Sequence, residues 1–133
     1  MSPMKDPLWL STKLIQAMHN KQILVHGGIS GTRDIELLES ALSKPQQVWH
    51  YTDPKPDFCT IAAFYAYGIV KNHAFLDGNK RTAHMAYRVF LAKNGVHLVA
   101  TREDKYEKMI ALAAGTISES DFAVWLRSVT TSA

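Results

Sequence analysis

The chain has 133 residues, of which 47% are hydrophobic and 20% charged, with a formal net charge of +3. That length suits one domain with one core, and the balance excludes a disordered or fibrous chain. One cysteine, Cys59, excludes an internal disulfide and fits a reducing compartment, and no run of about 18 apolar residues offers a membrane span.

The first helix is expected from the capping pair Asp6-Pro7 to about Asn20, with Leu10, Leu14 and Met18 on one face. The start, Met1 to Pro7, lacks the apolar core of a signal peptide, so a soluble cytoplasmic protein is expected. His26 to Gly31 is too rich in glycine for regular structure. Thr32 then fits as the cap of a second helix that turns Leu37, Leu38, Ala41 and Leu42 inward and stops at Pro45. From Gln46 to Asp57 the chain reads as a long loop with at most a helical turn at Trp49.

Phe58 to Asn72 is apolar almost all round, and its Ala and Gly content favours a buried central helix over strands. A further helix is predicted over Asn79 to Asn94, with Ala83, Ala86, Tyr87, Phe90 and Leu91 at helical spacing and Gly95 as its stop. Thr101 with Asp104, and Ser118 with Asp121, each resemble a capping box. The helices they open are expected to bury Tyr106, Met109 and Ile110 in one case and Phe122, Trp125 and Val129 in the other. Strand alternation is confined to a scrap at Val96 to Val99, so the fold class is all-α, a compact bundle of about six helices in a single domain, residues 1–133.

Chemistry concentrates in His73-Ala74-Phe75-Leu76-Asp77-Gly78-Asn79-Lys80-Arg81, between two apolar helices. If Gly78 or Asn79 opens the next helix, free backbone N–H groups and the positive end of the helix dipole make an anion site there. Lys80 and Arg81 would strengthen that site for phosphate, since two cations in a first turn otherwise oppose the dipole. Asp77 is placed to hold a Mg²⁺ that bridges phosphate oxygens, because Mg²⁺ takes only one or two protein carboxylates. His73 is a candidate general base for a protein hydroxyl.

Plainer roles compete with these. The loop could be a mere connector turned by Asp77 and Gly78, His73 a capping or packing histidine, and Lys80 and Arg81 solvated charges. His84, three residues after Arg81, shares its helical face and could touch nucleotide or substrate. Arg33 and Asp34 fit a structural ion pair or cap, and Trp9, Trp49 and Trp125 fit core or interface. His19, His26, His50 and His97 have no evident partners in the sequence and are assigned no role. The scattered basic residues give direct nucleic-acid binding little support. A Walker sequence, a kinase glycine-rich loop and a Cys/His cluster at zinc spacing are all absent from the sequence.

The nine-residue stretch resembles the signature of the Fic/Doc family, His-x-Phe-x-(Asp/Glu)-Gly-Asn-(Gly/Lys)-Arg. Likeness to its death-on-curing (Doc) branch continues through Gly27 to Asp34, Leu38 to Leu42, Pro45-Gln46, Leu112 to Gly115 and Trp125 to Arg127, so that it runs from about Lys21 to Val129. The resemblance implies an all-helical Fic fold whose motif loop joins two central helices and binds ATP with Mg²⁺. It also implies His73 as base, Asp77 as the metal-linked carboxylate, and Gly78, Asn79, Lys80 and Arg81 as the phosphate cradle.

Members that transfer AMP have Gly where this chain has Lys80, and a second Arg where it has His84; both departures favour the Doc branch. There the implied reaction is transfer of the γ-phosphate to a protein hydroxyl, with a translation elongation factor as target and translation arrest as result. AMP transfer, and a binding module that has kept the fold without catalysis, stay open as alternatives. The resemblance implies a cognate antitoxin whose disordered tail folds into a groove on this chain. Self-inhibiting members carry Ser/Thr-x-x-x-Glu-Gly/Asn, a pattern that Thr32 to Glu36 fails because Leu37 follows.

Overall fold

The computed structural model describes residues 6–132. Its elements are α1 (Thr12–His26), α2 (Ile35–Tyr51), α3 (Phe58–Asn72), α4 (Asn79–Lys93), β1 (Val96–Leu98), α5 (Arg102–Ala114), α6 (Glu119–Ser128) and β2 (Thr130–Ser132). The expectations for Met1 to Lys5 lie outside the described residues. No helix among those described is long and apolar enough to cross a membrane.

α3 is the axis of the bundle. Asp57 caps it by accepting from the Thr60 N–H at 2.8 Å, and Cys59, Ile61, Ala62, Ala63, Tyr65, Ala66, Ile69 and Val70 are buried along it. Around it pack α2, α4, α5 and α6, while α1 lies against α4. At Gly68 a Cβ would sit 3.3 Å from the Ala41 side chain, so the small residue sets how closely α2 approaches. From α4 the bundle receives Ala83, Ala86, Tyr87, Phe90 and Leu91, the stripe its spacing predicts.

α1 starts later than Asp6-Pro7 indicates: Ser11 is the cap, its hydroxyl accepting from Leu14 N at 3.1 Å. Residues 6–10 are instead drawn across the core by longer-range partners. Leu8 exchanges two hydrogen bonds with the Asn94 amide, Leu10 N donates to the Tyr65 hydroxyl, and Asp6 accepts from Trp49 Nε1 at 3.0 Å. α1 then runs past Asn20 to His26, where Gly27 at φ +78° stops it.

α2 is capped by Asp34 rather than Thr32, and it continues through Pro45 to Tyr51 instead of stopping there. A proline inside a helix costs about 3 kcal/mol. The turn beyond it buries Trp49 to 1% exposure, and an indole covering roughly 200 Å² contributes about 5 kcal/mol at the usual coefficient. Burial therefore outweighs the broken hydrogen bond, and the expected loop shrinks to 52–57.

The alternating scrap becomes a two-stranded antiparallel ribbon, with Val96 opposite Ser132 and Leu98 opposite Thr130. At α6 the capping box is complete, Ser118 and Asp121 bonding each other's backbone. At α5 only the Thr101 half forms, because the Asp104 carboxylate accepts from Trp125 Nε1 at 2.8 Å. α5 buries Met109 and Leu112, whereas Tyr106 is 65% exposed and Ile110 37%. The expectation that Tyr106 and Ile110 lie in the core fails because that side of α5 faces a cavity.

Candidate active site

The loop 73–78 joins α3 to α4, as its position between the two apolar helices indicates. His73 ends α3 in the left-handed conformation (φ 52°, ψ 46°). Arg33 holds this corner: Nε donates to the His73 carbonyl at 2.9 Å and Nη2 to the Asn72 carbonyl at 3.2 Å. A guanidinium on the last carbonyls of α3 satisfies groups the helix leaves open and complements its dipole. Arg33 and Asp34 thus each serve a helix end, Asp34 by accepting from Glu36 N and Leu37 N, and do not pair with each other.

The glycine-rich segment and the motif loop are stitched into one structure. Arg33 N and Asp34 N donate to the Ala74 carbonyl, Leu76 N donates to the Gly31 carbonyl, and Thr32 and Phe75 form an antiparallel bridge. Inside the loop, Asn79 is 5% exposed; its Oδ1 accepts from Phe75 N at 3.1 Å and its Nδ2 donates to the Phe75 carbonyl at 3.0 Å. These two bonds fix which end of the amide is oxygen. Nδ2 therefore also donates to His73 Nδ1, at 3.3 Å, which in a neutral imidazole leaves the proton on Nε2.

Asp77 is exposed at the amino end of α4. Its Oδ2 accepts from Ile29 N at 3.2 Å and its Oδ1 from Gly78 N at 2.8 Å. Those two N–H groups, the Ile29 bond foremost, hold its carboxyl below the ordinary carboxylate value, so Asp77 is ionised at neutral pH. The glycine-rich turn comes close enough that a Cβ on Gly28 would lie 2.7 Å from Asp77 Oδ2.

Gly78, at φ +76°, begins α4 without any side-chain cap, whereas Ser11, Asp34, Asp57, Thr101 and Ser118 cap the other helices. The backbone N–H groups of Asn79, Lys80 and Arg81 consequently point out of the helix end without an intrahelical partner. Above them opens a cavity of about 480 Å³ lined by His73, Leu76, Asp77, Gly78, Asn79, Lys80, Arg81, His84, Tyr106, Met109 and Ile110. Lys80 and Arg81 are exposed, and neither belongs to an ion pair among the described residues.

Every residue singled out in the sequence for the site, His73, Asp77, Gly78, Asn79, Lys80, Arg81 and His84, lines this one cavity. Two have altered parts. The Asn79 side chain is spent inside the loop, so only its backbone N–H is left for an anion. His84 is half-buried, and burial first, with the positive charges of Arg88 and Lys105 behind it, pushes its pKa down to about 4. It faces the cavity as a neutral ring whose buried Nε2 has no hydrogen-bond partner, an uncharged edge rather than a phosphate-binding cation.

The structure adds residues that sequence reasoning did not assign to the site. Tyr106, Met109 and Ile110 form an apolar wall opposite α4. Ile29 holds Asp77, and His19, 1% exposed, places Nε2 2.7 Å from the Asp77 carbonyl while stacking on Phe75. His19 lies 58 residues before Asp77 in a helix with no motif, so nothing local in the sequence marks it.

A Mg²⁺ fits Asp77 only together with a phosphate ligand. The described residues bring no group of three or more His, Cys, Asp or Glu together, so Asp77 has no cluster of such side chains with which to share an ion. A single ionised carboxylate beside free N–H groups and two unpaired cations matches the way Mg²⁺ is held between protein and polyphosphate.

Comparison with known proteins shows the family of the chain. The family model described as Fic/DOC family matches residues 9–91. The chain is 31% identical over 118 residues to the protein of Escherichia phage P1 named Protein kinase doc, an alignment covering 89% of this chain and 92% of that protein. It is 40% identical over 77 residues to a protein of Mycolicibacterium smegmatis named Toxin Doc, covering 58% of this chain and 59% of that one.

Proposed function

The chain belongs to the Fic/DOC family, and we propose that it is a Doc-like toxin that transfers the γ-phosphate of ATP to a hydroxyl of a protein target. The observation that carries this reading is the uncapped amino end of α4, set between an ionised carboxylate, two free cations and an imidazole. Phosphoryl transfer needs positioning and charge stabilisation more than covalent chemistry, and such a cradle supplies both. The relative named as a protein kinase supports the same chemistry, since it aligns over most of both chains.

In the proposed reaction the N–H groups of Asn79, Lys80 and Arg81, with the Lys80 and Arg81 side chains, orient the phosphates. Asp77 would hold a Mg²⁺, which when bound neutralises charge on the phosphate oxygens. A Ser or Thr hydroxyl oxygen forms a bond to the γ-phosphorus, the bond from that phosphorus to the β–γ bridging oxygen breaks, and ADP leaves. The hydroxyl proton goes to a ring nitrogen of His73. As arranged, Nδ1 is occupied by Asn79 and Nε2 carries the proton, so base work requires the hydroxyl to displace Asn79 from Nδ1 or the tautomer to switch.

The apolar wall of Tyr106, Met109 and Ile110, with the neutral edge of His84, suits the uncharged nucleoside end of the ligand. A translation elongation factor is the proposed class of target and a cognate antitoxin the proposed regulator, both resting on membership of the Doc branch. Beside the motif loop, Leu24, Val25, Ile29 and Leu76 are all more than half exposed, apolar surface that a regulatory tail could cover.

The test is to incubate the purified protein with cell extract and ATP labelled at either the α- or the γ-phosphate. Label entering protein from the γ-position alone is the expected result. Entry of the α-label would establish AMP transfer instead, and entry of neither would leave a binding module.

A further inference from the structure

We infer that His19 of α1 is a positioning residue for the cradle: by donating to the Asp77 carbonyl it fixes the Asp77–Gly78 peptide so that its N–H holds the Asp77 carboxylate and its carbonyl oxygen stays off the side proposed for the nucleotide. The inference rests on the phosphotransfer reading for the ligand, although the loop geometry it describes can be measured without one.

A carbonyl oxygen only accepts, so the 2.7 Å contact requires the proton of His19 on Nε2. The ring has little freedom to leave. It lies flat on Phe75, with centroids 3.9 Å apart and planes 6° from parallel, and it is 1% exposed. Phe75 is itself clamped by both ends of the Asn79 amide and by the bridge to Thr32.

In a trans peptide the C=O and N–H point in opposite directions. With the Asp77 oxygen directed at α1, the Gly78 N–H of the same peptide is directed away from α1 and meets Asp77 Oδ1 at 2.8 Å. Turning this peptide through half a rotation would break that bond, loosen the carboxylate, and bring a carbonyl oxygen to the side on which the phosphates are proposed to bind. Such a rotation changes φ of residue 78, and a glycine pays little for it. The loop thus has a weak point at Gly78. Among the described residues the sole hydrogen-bond donor to the Asp77 carbonyl is His19.

Two substitutions separate this role from plain packing. His19→Phe keeps the flat stack on Phe75 and removes the donor; His19→Gln restores a donor near the position of Nε2. Three measurements apply to each: thermal melting, calorimetry with Mg-ATP as the probe, and hydrogen exchange at the Gly78 amide. The expected result is that His19→Phe melts near the parent, binds Mg-ATP about two- to tenfold more weakly, and exchanges Gly78 faster by a similar factor, the effect of one lost hydrogen bond. His19→Gln should recover most of both.

Parent-like Gly78 exchange and Mg-ATP affinity in His19→Phe would overturn the inference. If His19→Phe does not fold, His19→Gln decides alone: parent-like values support the role, and a loss of affinity in step with a lowered melting temperature overturns it. A parent protein that binds no Mg-ATP would refute the phosphotransfer reading, and Gly78 exchange would still judge His19.

Discussion

His73 stands exposed at the end of α3, held through its backbone by Arg33 and through its ring by Asn79. Little packing depends on its imidazole, and the left-handed backbone at this position costs any residue with a Cβ alike, so His73→Ala should leave the fold intact. Transfer of γ-label by that variant should fall by about 10²–10⁴-fold, the usual contribution of a general base; unchanged transfer would remove His73 from the mechanism. Gly28→Ala acts from the other side. Its Cβ would meet Asp77 Oδ2 at 2.7 Å, and its φ of +124° suits no other residue, so the carboxylate must move. Calorimetry should show the Mg²⁺-dependent part of ATP affinity lost in Gly28→Ala while a divalent-free remainder persists. Lys80→Gly is expected to loosen the cradle enough to admit the opposite orientation of ATP, read as new transfer of α-label.

Among the elements, α3 carries the most, and Asp57 secures its start. The carboxylate caps Thr60 and receives Arg127 at 3.0 Å, tying α6 to the same point. Partial burial works against the charge, yet the bonds from Thr60 and Arg127 prevail and the Asp57 pKa lies below its ordinary 3.8. A carboxyl with a depressed folded pKa contributes stability that is present above the unfolded value and lost as pH falls through the folded one. That contribution should therefore vanish only below pH 3.8. Asp57→Ala should cost about 1–2 kcal/mol in denaturant unfolding through the lost cap. Asp57→Asn, which keeps a capping oxygen and loses the exposed ion pair, should cost less than about 1 kcal/mol.

How much of an element is legible in the sequence depends on how local its determinants are. α3 and α4 carry apolar stripes and end signals within their own residues, and both lie where the spacing places them. α1 begins at Ser11 because residues 6–10 answer to Asn94, Tyr65 and Trp49, partners far along the chain. α2 survives Pro45 because the burial of Trp49 is decided by the core. On α5 the stripe Tyr106, Met109, Ile110 is truly amphipathic, but periodicity cannot tell a core from the wall of a cavity.

Across the whole molecule the same division holds for the site. The motif brings its own chemistry into nine residues, so the cradle is readable from one stretch of sequence. The parts that hold it come from elsewhere: Ile29 and Arg33 from the glycine-rich segment, His19 from α1, and the apolar wall from α5. One connected core of buried side chains from α1 through α6 fixes these pieces relative to each other. The cavity is thus built by the bundle, while the reacting groups sit on a single loop.

That arrangement makes one claim central: the polyphosphate of ATP lies on the backbone N–H groups that open α4. Titration of Mg-ATP into the ¹⁵N-labelled protein, followed by amide chemical shifts, tests it directly. The largest changes should fall on Gly78, Asn79, Lys80 and Arg81, with smaller ones at Ile29 and along the Tyr106 to Ile110 face of α5. Saturable binding that leaves the Gly78 to Arg81 amides unmoved, or no binding at all, would contradict it.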